Sequence, residues 1–290
     1  LKVYELPLTS SGARGKAFVN LLPLEKDERV MRVVPVPRNT DEWENLVLLF
    51  ATEQGLIRKT PLSAFNNVYS TGIKGMGLND GDRLIAIQLA HEDEGDVIIS
   101  SLHGSAVRFP VNALRPIASR TAYGVKGMNL RERDKVISMY AISPEDQYIL
   151  SITEHGYGKR TKVDDFPIKG RGTMGVISIK TTDRNGNVVT SMPVNDGDQV
   201  MMITSNGQAI RTGVEDISII GRNTQGVRLF KVDKGSSVST VTRIPEDMLA
   251  DDEDDEEAME ALAEDGVIAE TAAEGAEVTE AVEAPDKPTE

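Results

Sequence analysis

The 290 residues are 39% apolar and only 4% aromatic, enough to build one large domain or two ordinary ones, and the absence of cysteine excludes disulfides, thiolate catalysis and cysteine metal sites. The net charge of -14 is unevenly held: residues 246–290 carry 19 acids and one lysine, a net of -18, which leaves 27 acids and 31 bases, a net of +4, in 1–245. A mildly basic body with a strongly acidic tail points to a nucleic-acid surface and an interaction or regulatory appendage.

Apolar runs such as Leu46 to Ala51 and Val200 to Ile203 are too short to cross a membrane, so the chain reads as soluble. It starts in mid-pattern at Leu1 with no signal-like leader, which reads as a piece of a longer protein. The first segment carries a glycine box, Gly12-Ala-Arg14-Gly-Lys16, then Leu24-Glu-Lys-Asp-Glu28 and a loop from Val36 to Asn45 that holds the only tryptophan, Trp43.

Three markers recur in one order about every fifty residues. The first is a turn glycine followed by a base: Gly55/Arg58, Gly104/Arg108, Gly156/Arg160 and Gly207/Arg211. The second is a glycine-rich box: Gly72-Ile-Lys74-Gly-Met-Gly77, Gly124-Val-Lys126-Gly127-Met, Gly170-Arg171-Gly-Thr-Met-Gly175 and Gly221-Arg222-Asn-Thr-Gln-Gly226. The third is an acidic turn before an apolar run, with the acid at Glu28, Asp82, Asp134 and Asp198. Runs such as Arg83-Leu-Ile-Ala-Ile-Gln-Leu are β-branched or apolar and bounded by Gly, Asn or Pro, and so read as short strands. About four strands per unit is the bookkeeping of a propeller-like blade. Between the third and fourth boxes an insertion, Lys180 to Val189, reads as an extra β-hairpin turning at Asn185-Gly186. The organisation is therefore an all-β repeat body, 1–245, of about five units with the first incomplete, and an acidic tail, 246–290. The tail is too poor in large apolar groups to offset its ordering entropy and reads as disordered, with a transient helix near Glu256 to Glu264.

Closing such units into a ring would set Lys59, Arg108, Arg160 and Arg211 at equivalent places on a rim. Arg58, Lys159, Lys162 and Arg120 lie nearby in sequence, and the boxes add Arg14, Lys16, Lys74, Lys126, Lys169, Arg171 and Arg222. Their glycines would allow close approach of a phosphate. Such a belt would hold duplex DNA by its phosphates and its deformability, with little base readout. The alternative for one unit alone is a solvated strand edge whose bases discourage edge pairing.

Other motifs are set aside. Gly170-Arg-Gly172-Thr-Met-Gly175 matches a dinucleotide fingerprint in letters, but Pro167 precedes it and a strand-like run follows, where the fingerprint needs a strand and then a helix. His103 and His155 stand at turns. The two Asn-Asp-Gly-Asp turns lack the closing Glu of a calcium loop, and no nucleophile, base and orienter set is visible, so no catalytic centre and no metal site is read.

With these units laid out, the chain resembles the C-terminal domain family of the DNA gyrase A subunit. The resemblance is carried by Leu1-Lys-Val-Tyr-Glu-Leu-Pro, Ala13-Arg-Gly-Lys16, Val19-Asn-Leu-Leu-Pro-Leu-Glu25, Lys159-Arg-Thr161, Gly175-Val-Ile-Ser-Ile-Lys180 and Gly221-Arg-Asn-Thr-Gln-Gly226-Val, and covers essentially all of 1–245. It implies a six-bladed β-pinwheel, with strands exchanged between blades, that wraps DNA on a basic perimeter. It also implies work with the remainder of that gyrase polypeptide, together with the gyrase B subunit, in an A2B2 assembly of the bacterial cytoplasm, at the nucleoid. This chain would hold no cofactor, since ATP and Mg act through other domains. Two departures are plain: the family's most basic box, Gln-Arg-Arg-Gly-Gly-Lys-Gly, and the breakage domain with its tyrosine are absent from this sequence. Rival resemblances are the related domain in the A subunit of topoisomerase IV, a propeller scaffold that binds proteins and a propeller-type enzyme.

Overall fold

The computed structural model describes residues 2–248, apart from 11, 12, 25–27, 29, 68, 70, 71 and 120. Gly12, Arg120 and the tail beyond 248, with its expected helix and disorder, lie outside the described residues. The chain divides into two compact units, Leu1–Arg243 and Ile244–Glu290.

The body is all-β, as the repeats lead one to expect. In chain order its strands are β1 (Leu46–Thr52), β2 (Leu56–Pro61), β3 (Leu84–His91), β4 (Asp96–Ser101), β5 (Ser105–Pro110), β6 (Val125–Lys126), β7 (Val136–Ile142) and β8 (Tyr148–Thr153). There follow β9 (Tyr157–Lys162), β10 (Val176–Ile177), β11 (Val188–Val194), β12 (Gln199–Thr204), β13 (Ala209–Gly213), β14 (Val227–Arg228) and β15 (Val238–Ile244).

Among the described residues three sheets have four antiparallel strands, in the orders β3-β1-β2-β6, β10-β5-β4-β7 and β11-β8-β9-β14, and a fourth has three, β13-β12-β15. One rule generates all of them. A hairpin forms, the glycine box then crosses to pair with the preceding hairpin, and the chain returns to flank its own. The strand after each box thus belongs to the neighbouring blade, so strands are exchanged between blades. The exchanged strands follow Gly124, Gly175 and Gly226. Gly170 and Gly221 therefore open a segment ahead of the position that Gly124 holds.

The central strands β1, β4 and β8 read as near-continuous apolar runs because both of their faces are covered. Val97 and Ile99 of β4 enter a core shared with Val47, Leu49 and Ile57 of the preceding sheet, whereas Ile98 between them enters a core with Ile149, Val163 and Phe166 of the next. Leu150 and Ile152 of β8 likewise pack with Val200 and Met202. The cores are joints between blades. With side chains alternating along a strand, one blade presents a hydrophobic face to each neighbour.

The buried acids close the hairpin turns. Asp82 accepts at Oδ1 from the amide of Gln54 at 3.0 Å, and Asp134 accepts from that of His103 at 3.0 Å. The reading of Asp198 as a third equivalent is corrected: it precedes hairpin strand β12, not a return strand, and accepts from the amide of Asn195 at Oδ2. The extra hairpin expected at Lys180 to Val189 is also corrected. The turn exists, bridged at Thr182 and Gly186, but β11 beyond it is the blade's own return strand on β8.

The first, incomplete unit forms no strand among its described residues.

Candidate nucleic-acid interface

Side chains on a strand between two blades have no free face, and this decides where the repeated bases lie. Arg58, Lys59, Lys159 and Arg160 are only 1%, 2%, 0% and 5% exposed. Each donates across a joint to at least one backbone carbonyl of the following unit. Arg58 reaches Ala122 at 2.8 Å, Ile117 at 3.3 Å and Ser119. The Lys59 ammonium donates to Glu92 at 3.1 Å and Val111 at 3.4 Å. Arg108, largely covered, pairs with Asp96 at 2.6 Å and donates to Val163 at 2.7 Å and Phe166 at 3.3 Å. Lys159 donates to Gly221 at 2.7 Å, Arg222 at 2.6 Å and the Thr224 hydroxyl at 3.1 Å. Arg160 donates to Ile217 at 2.6 Å and Glu215 at 2.9 Å, and pairs with Asp196.

The expected rim position of Arg58, Lys59, Arg108, Lys159 and Arg160 is therefore corrected: these are clamps that hold one blade's crossover onto the previous blade's hairpin. Burial pushes Arg58 and Lys59 below their usual values. Burial, aided by the neighbouring Arg222 cation and opposed by Asp165, lowers Lys159 to about 8. Arg211 sits at the clamp position of the last blade, is exposed, and donates only to Gln199 of its own hairpin.

The turn glycines serve the same joint. The carbonyl of Gly104 accepts from Ser178 and Ile179, and a Cβ on Gly104 would overlap the Ile179 oxygen, on a backbone with φ of 81°. Gly55 and Gly156 repeat the arrangement against Gly127 and Leu229.

The remaining expected residues lie on the outside. Arg14, Lys16, Lys74, Lys126, Lys162, Lys169 and Arg171 are exposed, and Arg222 is half-buried. The boxes that carry them are bonded one to the next: Gly77 N–H to Ala122 O at 3.1 Å, Asn129 N–H to Thr173 O at 2.9 Å and Lys180 N–H to Thr224 O at 2.8 Å. Arg171 donates to the Lys126 carbonyl at 3.3 Å, and Arg222 makes the equivalent bond to Ile177 at 2.9 Å. Among the described residues none of Lys74, Lys126, Lys162, Lys169, Arg171 and Arg222 is ion-paired, whereas Glu92, Asp96 and Asp196 pair with the clamps Lys59, Arg108 and Arg160. The result is a band of cations on a hydrogen-bonded strip of backbone, with Arg115 beside Arg171 in a shallow cleft. Arg14 and Lys16 stand apart from it in sequence, in the strandless segment.

Sequence reasoning missed Arg115, Arg184 and Arg228. The signal for Arg228 was present: like Lys74 and Lys126 it stands two residues after a box glycine, here Gly226. No group of three or more His, Asp or Glu that could hold a metal occurs among the described residues, and no helix there is long and apolar enough to cross a membrane.

Blades joined by exchanged strands, with a basic band along the exchange, define a propeller-like all-β domain. The chain belongs to the family described as DNA gyrase C-terminal domain, beta-propeller, which matches residues 1–37, 47–91, 95–143, 147–195 and 198–245, the last four segments each spanning one blade unit. It is 44% identical over 270 residues to the DNA gyrase A subunit of Salmonella typhimurium, covering 93% of this chain and 29% of that protein. It is 43% identical over 266 residues to the Escherichia coli protein of the same name, covering 92% of this chain and 29% of that one, so the chain spans under a third of these relatives. Among solved structures, a DNA gyrase A C-terminal domain aligns with a TM-score of 0.68 at 26% identity, over 80% of this chain and 76% of that one. The C-terminal domain of a DNA topoisomerase IV aligns with a TM-score of 0.77 at 24% identity, over 87% and 78%, which speaks to the fold alone.

Proposed function

We propose that the body binds and bends duplex DNA along the basic band, as the DNA-wrapping part of a gyrase A subunit. In the whole enzyme it would present a second duplex segment to the DNA gate, so that strand passage introduces negative supercoils at the expense of ATP held by the gyrase B subunit. Its partners are then duplex DNA, the remainder of its own gyrase polypeptide and the gyrase B subunit, in an A2B2 assembly in the bacterial cytoplasm. The chain supplies no cleavage chemistry; Mg and ATP act elsewhere in the assembly.

The observation that carries this reading is the line of unpaired cations on consecutive, mutually bonded boxes: Lys74, Lys126, Arg171 and Arg222. A strip of backbone amides and point charges recognises a repeating phosphate, not a base edge. Six to ten phosphates held in this way would make affinity fall by roughly 10³ to 10⁵ between 50 and 200 mM salt. Bending a short site costs on the order of 1 to 6 kcal/mol, which many such contacts offset. The match to the DNA gyrase C-terminal domain family and the 44% identity over 270 residues to a gyrase A protein favour gyrase between the two. The test is titration of labelled duplexes of unrelated sequence across a salt series. Equal affinities with a steep salt slope support the reading; salt-insensitive binding or none returns the repeats to a scaffold role.

A further inference from the structure

Tyr157 opens β9 directly after the turn glycine Gly156, and its ring is 2% exposed. Its hydroxyl oxygen accepts two hydrogen bonds, from Arg184 Nε at 3.1 Å and from Arg228 Nη2 at 2.9 Å. The two guanidinium carbons lie 5.2 and 5.3 Å from the ring centre, both in cation–π contact. Three separate segments meet here. Arg228 is the β-ladder partner of Tyr157 on the exchanged strand β14, and Arg184 comes from the turn peculiar to this unit, 27 residues beyond Tyr157.

Two guanidiniums on one phenol repel each other, and such pairs ordinarily share a carboxylate. Among the described residues neither Arg184 nor Arg228 has a carboxylate within 4.0 Å, and neither side chain donates to any other protein group. Both arginines are exposed while their common acceptor is buried, so the fork is anchored at its base and open at its tips. The hydrogen bonds from Arg184 and Arg228 also pull the phenol below its usual value. Arg228 occupies on its exchanged strand the place that Lys126 holds on β6, so the fork joins the register of the basic band at Arg228.

We propose that Tyr157 is a positioning residue that holds Arg184 and Arg228 as a two-guanidinium fork for one phosphodiester of the bound duplex. The phenol oxygen fixes one N–H of each arginine, and the remaining N–H groups bond the non-bridging phosphate oxygens. A guanidinium fixed in advance loses less entropy on binding than a free one, so this contact gains affinity from orientation as well as from charge. The fork deepens, and rests on, the DNA-binding reading above.

The test uses the full chain and an end-labelled duplex of about 100 base pairs. Tyr157→Phe keeps the ring and the net charge and removes only the common acceptor; the paired change Arg184→Gln with Arg228→Gln removes both guanidiniums of the fork, and its Tm is measured beside its affinity. Tyr157→Phe is expected to melt as the parent does and to bind about fivefold more weakly, the scale of one hydrogen bond. The paired variant should lower the slope of log K against log salt by about 1, the change expected when one phosphate is no longer neutralised. Parent-like affinity and slope in both variants would overturn the fork while leaving the DNA reading intact, as would an affinity loss in Tyr157→Phe that merely tracks a lowered Tm. Failure of the parent chain itself to bind would overturn both.

Discussion

Arg108, on the second strand of one hairpin, donates from Nη1 to the carbonyl of Val163 at 2.7 Å, in the first turn after the next hairpin. The same guanidinium is paired with Asp96 of its own sheet, so a single side chain ties two blades together. Lys59 and Arg160 hold equivalent places, and the periodic base in this sequence is thereby a periodic joint.

Removing such a clamp strands its partners. Arg108→Leu leaves the Asp96 carboxylate and the Val163 and Phe166 carbonyls without their donor, and should destabilise the body by about 3–5 kcal/mol, as breaking a buried pair does. Arg211→Leu, at the exposed equivalent, should stay within about 0.5 kcal/mol. Urea unfolding of the two variants beside the parent checks this. Equal losses would mean that the clamp geometry carries no stability.

The outer cations should behave in the opposite way. Arg171→Gln or Lys126→Gln is expected to leave the Tm unchanged, weaken binding to all duplex sequences alike and lower the salt slope by about 1 each. Anisotropy titrations at several salt concentrations report both quantities. A Tm loss without a change in slope would place these residues with the clamps.

The turn glycines separate close approach from backbone strain. Gly104→Ala meets the Ile179 oxygen with φ at 81°, whereas Gly207→Ala has φ at 86° and nothing within 4 Å of the new Cβ. Gly207→Ala should cost about 1–2 kcal/mol, from the left-handed backbone alone, and Gly104→Ala should cost clearly more. Thermal melts of the two decide it.

Lys159 gives the joint a pH signature. Its ammonium is lowered from 10.5 to about 8 in the folded chain, first by burial. Between those values the unfolded chain binds more protons, so this group makes stability rise with pH across that window and adds no slope well below it. From pH 8 to pH 10 the parent should gain about 2 kcal/mol relative to Lys159→Met, which lacks the titration. Paired unfolding curves at the two pH values measure the difference, and a constant gap would contradict the lowered ammonium.

Strands and turns were largely legible because they rest on local rules: apolar runs such as Leu46 to Ala51, and glycines with positive φ at 55, 104, 156 and 207. The exchange of strands, which is long-range, came only from the family resemblance. The address of the bases was not. A rim and a joint repeat with the same period, so the register of Lys59, Arg108, Arg160 and Arg211 fits either. The hint lay in the neighbours: Arg108 stands between Val107 and Phe109 in a strand covered on both faces, which leaves a long polar side chain only the joint to enter. Asp198 was misplaced for a related reason, since Asn-Asp-Gly-Asp makes the same tight turn before a hairpin strand as before a return strand. Arg228 was overlooked because the boxes were aligned on Gly221 and not on Gly226.

Bending of DNA by the band is read from the distance between the two ends of a duplex of about 100 base pairs, labelled at both, on adding the full chain at low salt and again at 200 mM. The account predicts that the ends draw together at low salt for any sequence, and that they separate as salt releases the phosphate contacts. Binding that leaves the end-to-end distance unchanged, or no binding at low salt, would contradict it.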